Sequence, residues 1–175
     1  FVWMSGDVLP DHQLTVFGRE DDYLFGMLHS RAHEVWSLRM GTSLEDRPRY
    51  TPSTCFETFP LPWPPGAEPW EDARLQAIAS AARALDETRN RWLNPPNASE
   101  ADLKKRTLTN LYNERPTWLA NLHATLDRAA WAAYGWEEDP MQTTGETILE
   151  RLIGLNGIRA DKDGPHNVTA GTSSL

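Results

Sequence analysis

The stretch that decides the fold is DDYLFGMLHSRAHEVWSLRMG, Asp21 to Gly41. Phe25, Leu28, Ala32 and Val35 recur at three- and four-residue spacing, which is the period of one face of an α-helix. Asp21 and Asp22 are residue types that cap a helix N-terminus, Arg39 suits the last turn, where a cation meets the negative end of the helix dipole, and Gly41 suits the position just beyond. The spacing predicts one long helix between these ends.

Upstream, residues 1–18 carry short apolar alternations, notably LTVF at Leu14 to Phe17, broken by Gly6, Pro10 and Gly18; this is a strand-and-turn pattern. Downstream, the polar loop Leu44-Glu45-Asp46-Arg47-Pro48-Arg49-Tyr50 leads into a second expected strand around Thr54 to Phe59. The connector PLPWPPGAEPW, Pro60 to Trp70, stiffens the chain and marks the expected domain boundary. Beyond it the period is helical. Leu75, Ile78, Ala82, Leu85 and Trp92 make one stripe, and Leu119, Leu122, Leu126, Ala129 and Ala133 make another that ends at Gly135. Ser99 with Asp102, and Thr143 with Glu146, have capping-box spacing and start a short helix and a last one carrying Ile148, Leu149, Leu152 and Ile153. The fold class expected is α+β, mainly α: short N-terminal strands with one long helix, then a small bundle of about four helices. Residues 1–66 form one unit, 67–160 a helical domain, and the apolar-poor tail 161–175 is expected to be disordered.

The composition bounds the function. A chain of 175 residues at 39% hydrophobic can bury roughly 70% of the surface its unfolded form exposes. The single cysteine, Cys55, permits no intrachain disulfide, so a reducing compartment such as the cytoplasm fits best. No apolar run approaches the roughly 20 residues of a membrane span, and FVWMSGDV lacks the basic and apolar regions of a signal peptide. The chain reads as cut from something longer. A net charge of −8 argues against simple non-specific polyanion binding. The charge is uneven, however: residues 137–163 hold seven acids against three bases, and residues 83–106 hold six bases against four acids. A basic face can therefore coexist with an acidic end.

Candidate chemistry is sparse. His29 and His33 stand one helical turn apart and could share a metal, but no Cys or acid cluster supplies a third ligand and the pair borders the apolar stripe, so packing or a hydrogen bond is the favoured use. Cys55 has no neighbouring base and reads as a small buried hydrophobe. Most of the eight tryptophans fall on helical stripes and read as core. The loop from Leu44 to Tyr50 is different. An Arg guanidinium can grip guanine O6 and N7 with two parallel hydrogen bonds, a carboxylate can accept from the cytosine amino group, and each good pair gives about 1–3 kcal/mol of discrimination. A spacing of two puts Glu45 and Arg47 on one side of an extended segment. The alternative use of the same residues is a solvated turn with local salt bridges.

The segments VLPDHQLTVFG, FGMLHSRAHEVWSLRMG, LEDRPRYTPSTCFETFPLPWP and TLTNLYNERPTWLANLHATLDRAAWAAYGW resemble the C-terminal portion of MmeI-like restriction-modification enzymes and related adenine-specific DNA methyltransferases. The resemblance runs from about Val8 to about Asn156. It rests on Arg49-Tyr50-Thr51-Pro52, Phe56 and Phe59-Pro60 in the first part, and on Leu111-Tyr112-Asn113 and Pro116-Thr117-Trp118-Leu119 in the second. It implies the end of a target recognition domain followed by a helical C-terminal domain, with double-stranded DNA as partner. Glu45 and Arg47 would meet base edges, Arg49 and Tyr50 would brace the loop or touch the backbone, and Arg31, Arg39, Lys104, Lys105 and Arg106 would contact phosphates. S-adenosylmethionine and the adenine-N6 transfer would belong to a catalytic domain upstream or in trans. The copy of the Asn-Pro-Pro-aromatic loop at Asn94 to Asn97 is a decoy, because it follows a helix and ends in Asn97 where a stacking aromatic is required. The rival reading is a helical protein-interaction module whose Trp-rich face docks on another protein.

Overall fold

The computed structural model describes residues 1–11, 14–44 and 47–163, with the side chains of residues 43, 44, 47 and 161–163 outside that description. Asp21 does open a helix, its carboxylate accepting from the Leu24 N–H at 2.8 Å, but the expected long helix is two. α1 spans Asp22–His29 and α2 spans Arg31–Met40. Ser30 both ends the first, donating its hydroxyl to the Met27 carbonyl at 2.7 Å, and caps the second, accepting from the His33 N–H at 3.4 Å. The apolar stripe runs across this break because both helices bury the same side, so periodicity alone could not reveal it.

The β structure also differs from expectation. The described residues contain one sheet, an antiparallel hairpin of β1 (Thr42–Leu44) and β2 (Arg47–Arg49) with Thr42 opposite Arg49, Ser43 opposite Pro48 and Leu44 opposite Arg47. Leu14 to Phe17 has no strand partner, and Leu14 and Val16 are exposed. The segment expected as a strand at Thr54 to Phe59 begins instead as the short helix α3 (Pro52–Cys55) with Pro at its first position, where a proline lacks only an N–H that would be unpaired anyway.

The helical expectations after the connector hold. α4 spans Ala73–Leu93, α5 Glu100–Lys105, α6 Leu108–Glu114, α7 Thr117–Tyr134 and α8 Gly145–Asp163, so the chain is mainly α. Asn94 to Asn97 acts as a terminator, with the Asn94 N–H closing on the Asn90 carbonyl at 2.9 Å. Gly135 ends α7 in the left-handed region at φ 74°, a conformation that costs glycine nothing. The Ser99 box forms; the second box shifts by one residue, Thr144 rather than Thr143 accepting from the Thr147 N–H at 3.2 Å. Residues 164–175, most of the tail expected to be disordered, lie outside the described residues.

One apolar cluster joins both sides of the connector. Tyr23, Met27 and Leu28 of α1 pack with Leu75, Ile78 and Leu85 of α4, Leu126 and Trp131 of α7, and Ile148 and Leu152 of α8. Each fully buried aliphatic side chain here contributes about 1.5–3 kcal/mol. The connector itself is strapped to the bundle: Tyr134 donates to the Pro60 carbonyl at 2.9 Å, and Arg159 donates to the Leu61 and Pro62 carbonyls at 2.7 and 2.9 Å.

Candidate nucleic-acid interface

The hairpin grows directly from the C-terminus of α2. Its β1 strand follows Gly41, and its strands are three residues each, so it has little stability of its own and depends on what holds its two stems. On the incoming side, Gly41 is packed so closely that a Cβ would lie 2.6 Å from the Ser37 carbonyl oxygen and 2.9 Å from that of Arg49. Only a residue without a side chain lets β2 approach the end of α2. On the outgoing side, Thr51 shares a hydroxyl hydrogen bond with Thr42 at 3.3 Å, and the buried Cys55 thiol donates to the Ser37 carbonyl at 3.6 Å.

Tyr50 ties the outgoing stem to α2. The Leu28 carbonyl can only accept, so the His33 Nδ1 at 3.0 Å carries the ring proton and Nε2 is left as the acceptor. The Tyr50 hydroxyl donates to it at 3.2 Å. Burial holds His33 neutral, pushing its pKa down to about 4, and the same loss of solvent raises the Tyr50 phenol. The Phe1 ring lies 5.6 Å from both rings and closes the cluster. Beside it, residues Phe1 to Met4 and Leu14 to Phe17 line an open cleft of about 1190 Å³ against Pro48, Arg49 and Tyr50.

Of the two base-reading candidates, only the Arg47 backbone is described. Glu45 lies outside the described residues; Arg47 occupies the first position of β2, opposite Leu44, and its side chain is outside the description. Arg39 and Arg49 are exposed and have no hydrogen-bond or ion-pair partner among the described residues. The other basic candidates are distributed differently. Arg31 is turned inward, its guanidinium donating to the Pro140 carbonyl. Arg106 donates to the Trp92 carbonyl at 2.8 Å and lies over the Trp92 ring. Lys104 pairs with Glu100 at 2.9 Å, both highly exposed, and Lys105 is exposed. The structure thus brings Arg39, Arg49 and Tyr50 together around the hairpin base and leaves Lys104 and Lys105 on α5.

Several pairings carried no local signal in the sequence, although His29 itself was expected to pack or to hydrogen-bond. His29 uses Nδ1 to donate to the Phe25 carbonyl at 2.9 Å, so its Nε2 accepts from Arg89, a guanidinium only 2% exposed, at 3.0 Å. Arg89 also donates to the Phe1 carbonyl and to Asp86, each at 3.0 Å. His123 takes a hydrogen bond from the Tyr112 hydroxyl at 3.1 Å and faces the His29 carbonyl. Burial, first of all, lowers His29 to about 3 and His123 to about 4. Asp127 of α7 supplies an N-terminal cap to α2 from 96 residues away, accepting from the Arg31 N–H at 2.7 Å. Its burial outweighs that hydrogen bond and raises its pKa to about 6. The two imidazoles of α1 and α2 are thus occupied separately, and the described residues contain no group of three or more His, Cys, Asp or Glu able to hold a metal ion. Among them, too, no helix is long and apolar enough to cross a membrane.

Comparison with known proteins points in one direction. Residues 1–63 match the family described as MmeI, target recognition domain. The solved structure of the Type IIL restriction-modification enzyme MmeI in complex with DNA superposes on the chain with a TM-score of 0.59 at 27% identity, over 79% of this chain. The chain spans only 16% of the length of that one. None of the curated proteins matches significantly.

Proposed function

We propose that this chain, whose residues 1–63 match the MmeI target recognition domain, is the end of a DNA target recognition unit followed by the helical C-terminal region of an MmeI-like enzyme. In this reading the hairpin enters a groove of duplex DNA. Glu45 accepts from a base amino group and Arg47 donates to guanine, while Tyr50, held by His33, and Arg49 support the strand behind them. Arg39, Arg49, Lys104 and Lys105 contact phosphates, which position the duplex without specifying its sequence. Arg31 and Arg106 act beneath that surface through the carbonyls they already hold. Transfer of a methyl group from S-adenosylmethionine to adenine N6 belongs to a catalytic domain outside this chain.

The observation that supports this most is the coincidence of the family match with a hairpin clamped at both stems: a reader of base edges must be stiff, because an ångström of play is enough to lose a bidentate hydrogen bond. The test is Arg47→Ala in the intact enzyme, which relaxes preference at one base pair. Lys105→Ala instead weakens all sequences alike and lowers the salt slope by about 0.9. An unchanged sequence preference in Arg47→Ala removes the base-reading assignment.

A second reading is favoured by one observation, the exposure of Val2, Met4, Val8, Leu9, Leu14 and Val16 near the N-terminus, which suits a protein-docking module. Fluorescence anisotropy with duplex DNA across a salt series separates the two, since a docking module of net charge −8 shows no duplex binding even at low salt.

A further inference from the structure

The motif Asn113-Glu114-Arg115-Pro116 joins α6 to α7. Arg115 there ends α6 in the left-handed region, at φ 41° and ψ 61°. That position after a helix ordinarily takes glycine, because a Cβ in this region crowds the backbone. The following proline narrows the choice further by disfavouring helical values before it. Strain of this kind persists only where the surrounding structure over-determines the backbone, and it makes the residue a candidate for function.

The side chain gained is a guanidinium. It is exposed and makes no hydrogen bond or ion pair among the described residues, although His123 and the buried Asp127 both feel its charge. Its surroundings are polar: Asn113 and Glu114 are exposed beside it, and one turn back Asn110 donates its amide to the Lys105 carbonyl at 2.8 Å. This bond fastens the end of α5, with exposed Lys104 and Lys105, to α6.

The same turn connects to the hairpin through the core-facing side. Tyr112 bonds His123, His123 faces the His29 carbonyl, the Phe1 ring lies 5.6 Å from that of His29, and it lies 5.6 Å from that of Tyr50. The path is short.

We propose that the Arg115 turn, with the exposed Lys105 of the adjoining α5, is a second phosphate-contact surface that grips the duplex apart from the hairpin. The proposal rests on the DNA-recognition reading. Arg115 supplies charge to the backbone and no sequence preference, and Asn113 is placed to add a neutral hydrogen bond. The left-handed backbone is what turns α6 away and leaves the guanidinium at the rim.

The test uses the 175-residue chain and a labelled mixed-sequence duplex of about twenty base pairs, titrated by anisotropy at several salt concentrations. Arg115→Gly relieves the backbone, so the variant stays folded and its Tm is unchanged or higher by about 2–4 °C. Its plot of log affinity against log salt is expected to flatten by about 0.9, while Arg115→Lys keeps the wild-type slope. If Arg115→Gly binds with the wild-type slope and affinity, this surface is refuted and the hairpin reading stands. If the wild-type chain binds no duplex at low salt, both fall together.

Discussion

Acidification provides a sharp test of the imidazole seam. His29, His33 and His123 are each held neutral by burial, with folded pKa values near 3, 4 and 4 against 6.5 for a free imidazole. A depressed histidine pKa means the unfolded chain binds the proton first, so the stability each group gives is intact above pH 6.5 and is lost as pH falls toward 4. Between pH 7 and pH 5 that loss is about 2 kcal/mol for each ring. Asp127 works in the opposite sense: with its folded pKa raised to about 6 from 3.8, it binds its proton in the folded chain and returns about 1 kcal/mol over the same interval. The sum is a net loss of about 4–5 kcal/mol, a large part of the 5–15 kcal/mol typical of a domain. Urea unfolding followed by tryptophan fluorescence at pH 7, 6 and 5 measures it directly. Asp127→Asn should steepen the loss by about 1 kcal/mol and His33→Gln should shrink it by about 2 kcal/mol. A stability that is flat, or that rises toward pH 5, refutes the neutral-imidazole account.

Three substitutions probe the stems and the helix contacts. Gly41→Ala forces a Cβ against two backbone carbonyls and should cost about 1–3 kcal/mol, with amide shift changes in an NMR spectrum concentrated between residues 37 and 55; shifts spread evenly over the chain would mean the clamp is not local. Gly26→Ala would put its Cβ 2.8 Å from Ile78 Cγ2 and 3.0 Å from Ala82 Cβ, so overpacking of about 1–3 kcal/mol should exceed the roughly 1 kcal/mol gained in helix propensity, and a variant more stable than wild type in urea would contradict that packing. Tyr50→Phe leaves the buried His33 Nε2 without a donor and should lower stability by about 1–3 kcal/mol, an effect absent in a His33→Gln background if the two rings are coupled as described.

Long elements were legible because their signals are redundant. α4 and α7 each show a stripe over four or more turns, and each carries its own stop, Asn94 before two prolines and Gly135 in the left-handed region. The break at Ser30 was not legible, since serine is tolerated inside a helix and the stripe continues through it; only the direction of its hydroxyl shows that it caps. Strand signals failed for the opposite reason. Alternation at Leu14 to Phe17 describes a half-buried strand, but a strand needs a partner, and none pairs with it among the described residues. The hairpin escaped because three-residue strands are too short to show a period and their polar sequence reads as loop. Pro52 did carry a usable signal, since a proline after Thr51 suits a helix start better than a strand. Within the site, Tyr50 was expected to brace the loop, but the partner that lets it do so sits 17 residues earlier on another element, and Asp127 caps α2 across 96 residues. Such pairings come from tertiary packing, which spacing along the chain does not encode.

The connector gives the last step. Two units joined by a linker can move relative to each other even where the linker itself is stiff, which would let a hairpin on one side drift with respect to basic residues on the other. Here α1 buries its apolar side against α4 and α7, and the carbonyls of Thr58, Pro60, Leu61 and Pro62 are taken by Asn156, Tyr134 and Arg159. Every one of those donors comes from α7 or α8. The segment that follows the hairpin stem is therefore tied to the helical region through α7 and α8. A duplex that met both surfaces would lose little further conformational entropy in the protein, which is the physical advantage of building a reader on a bundle.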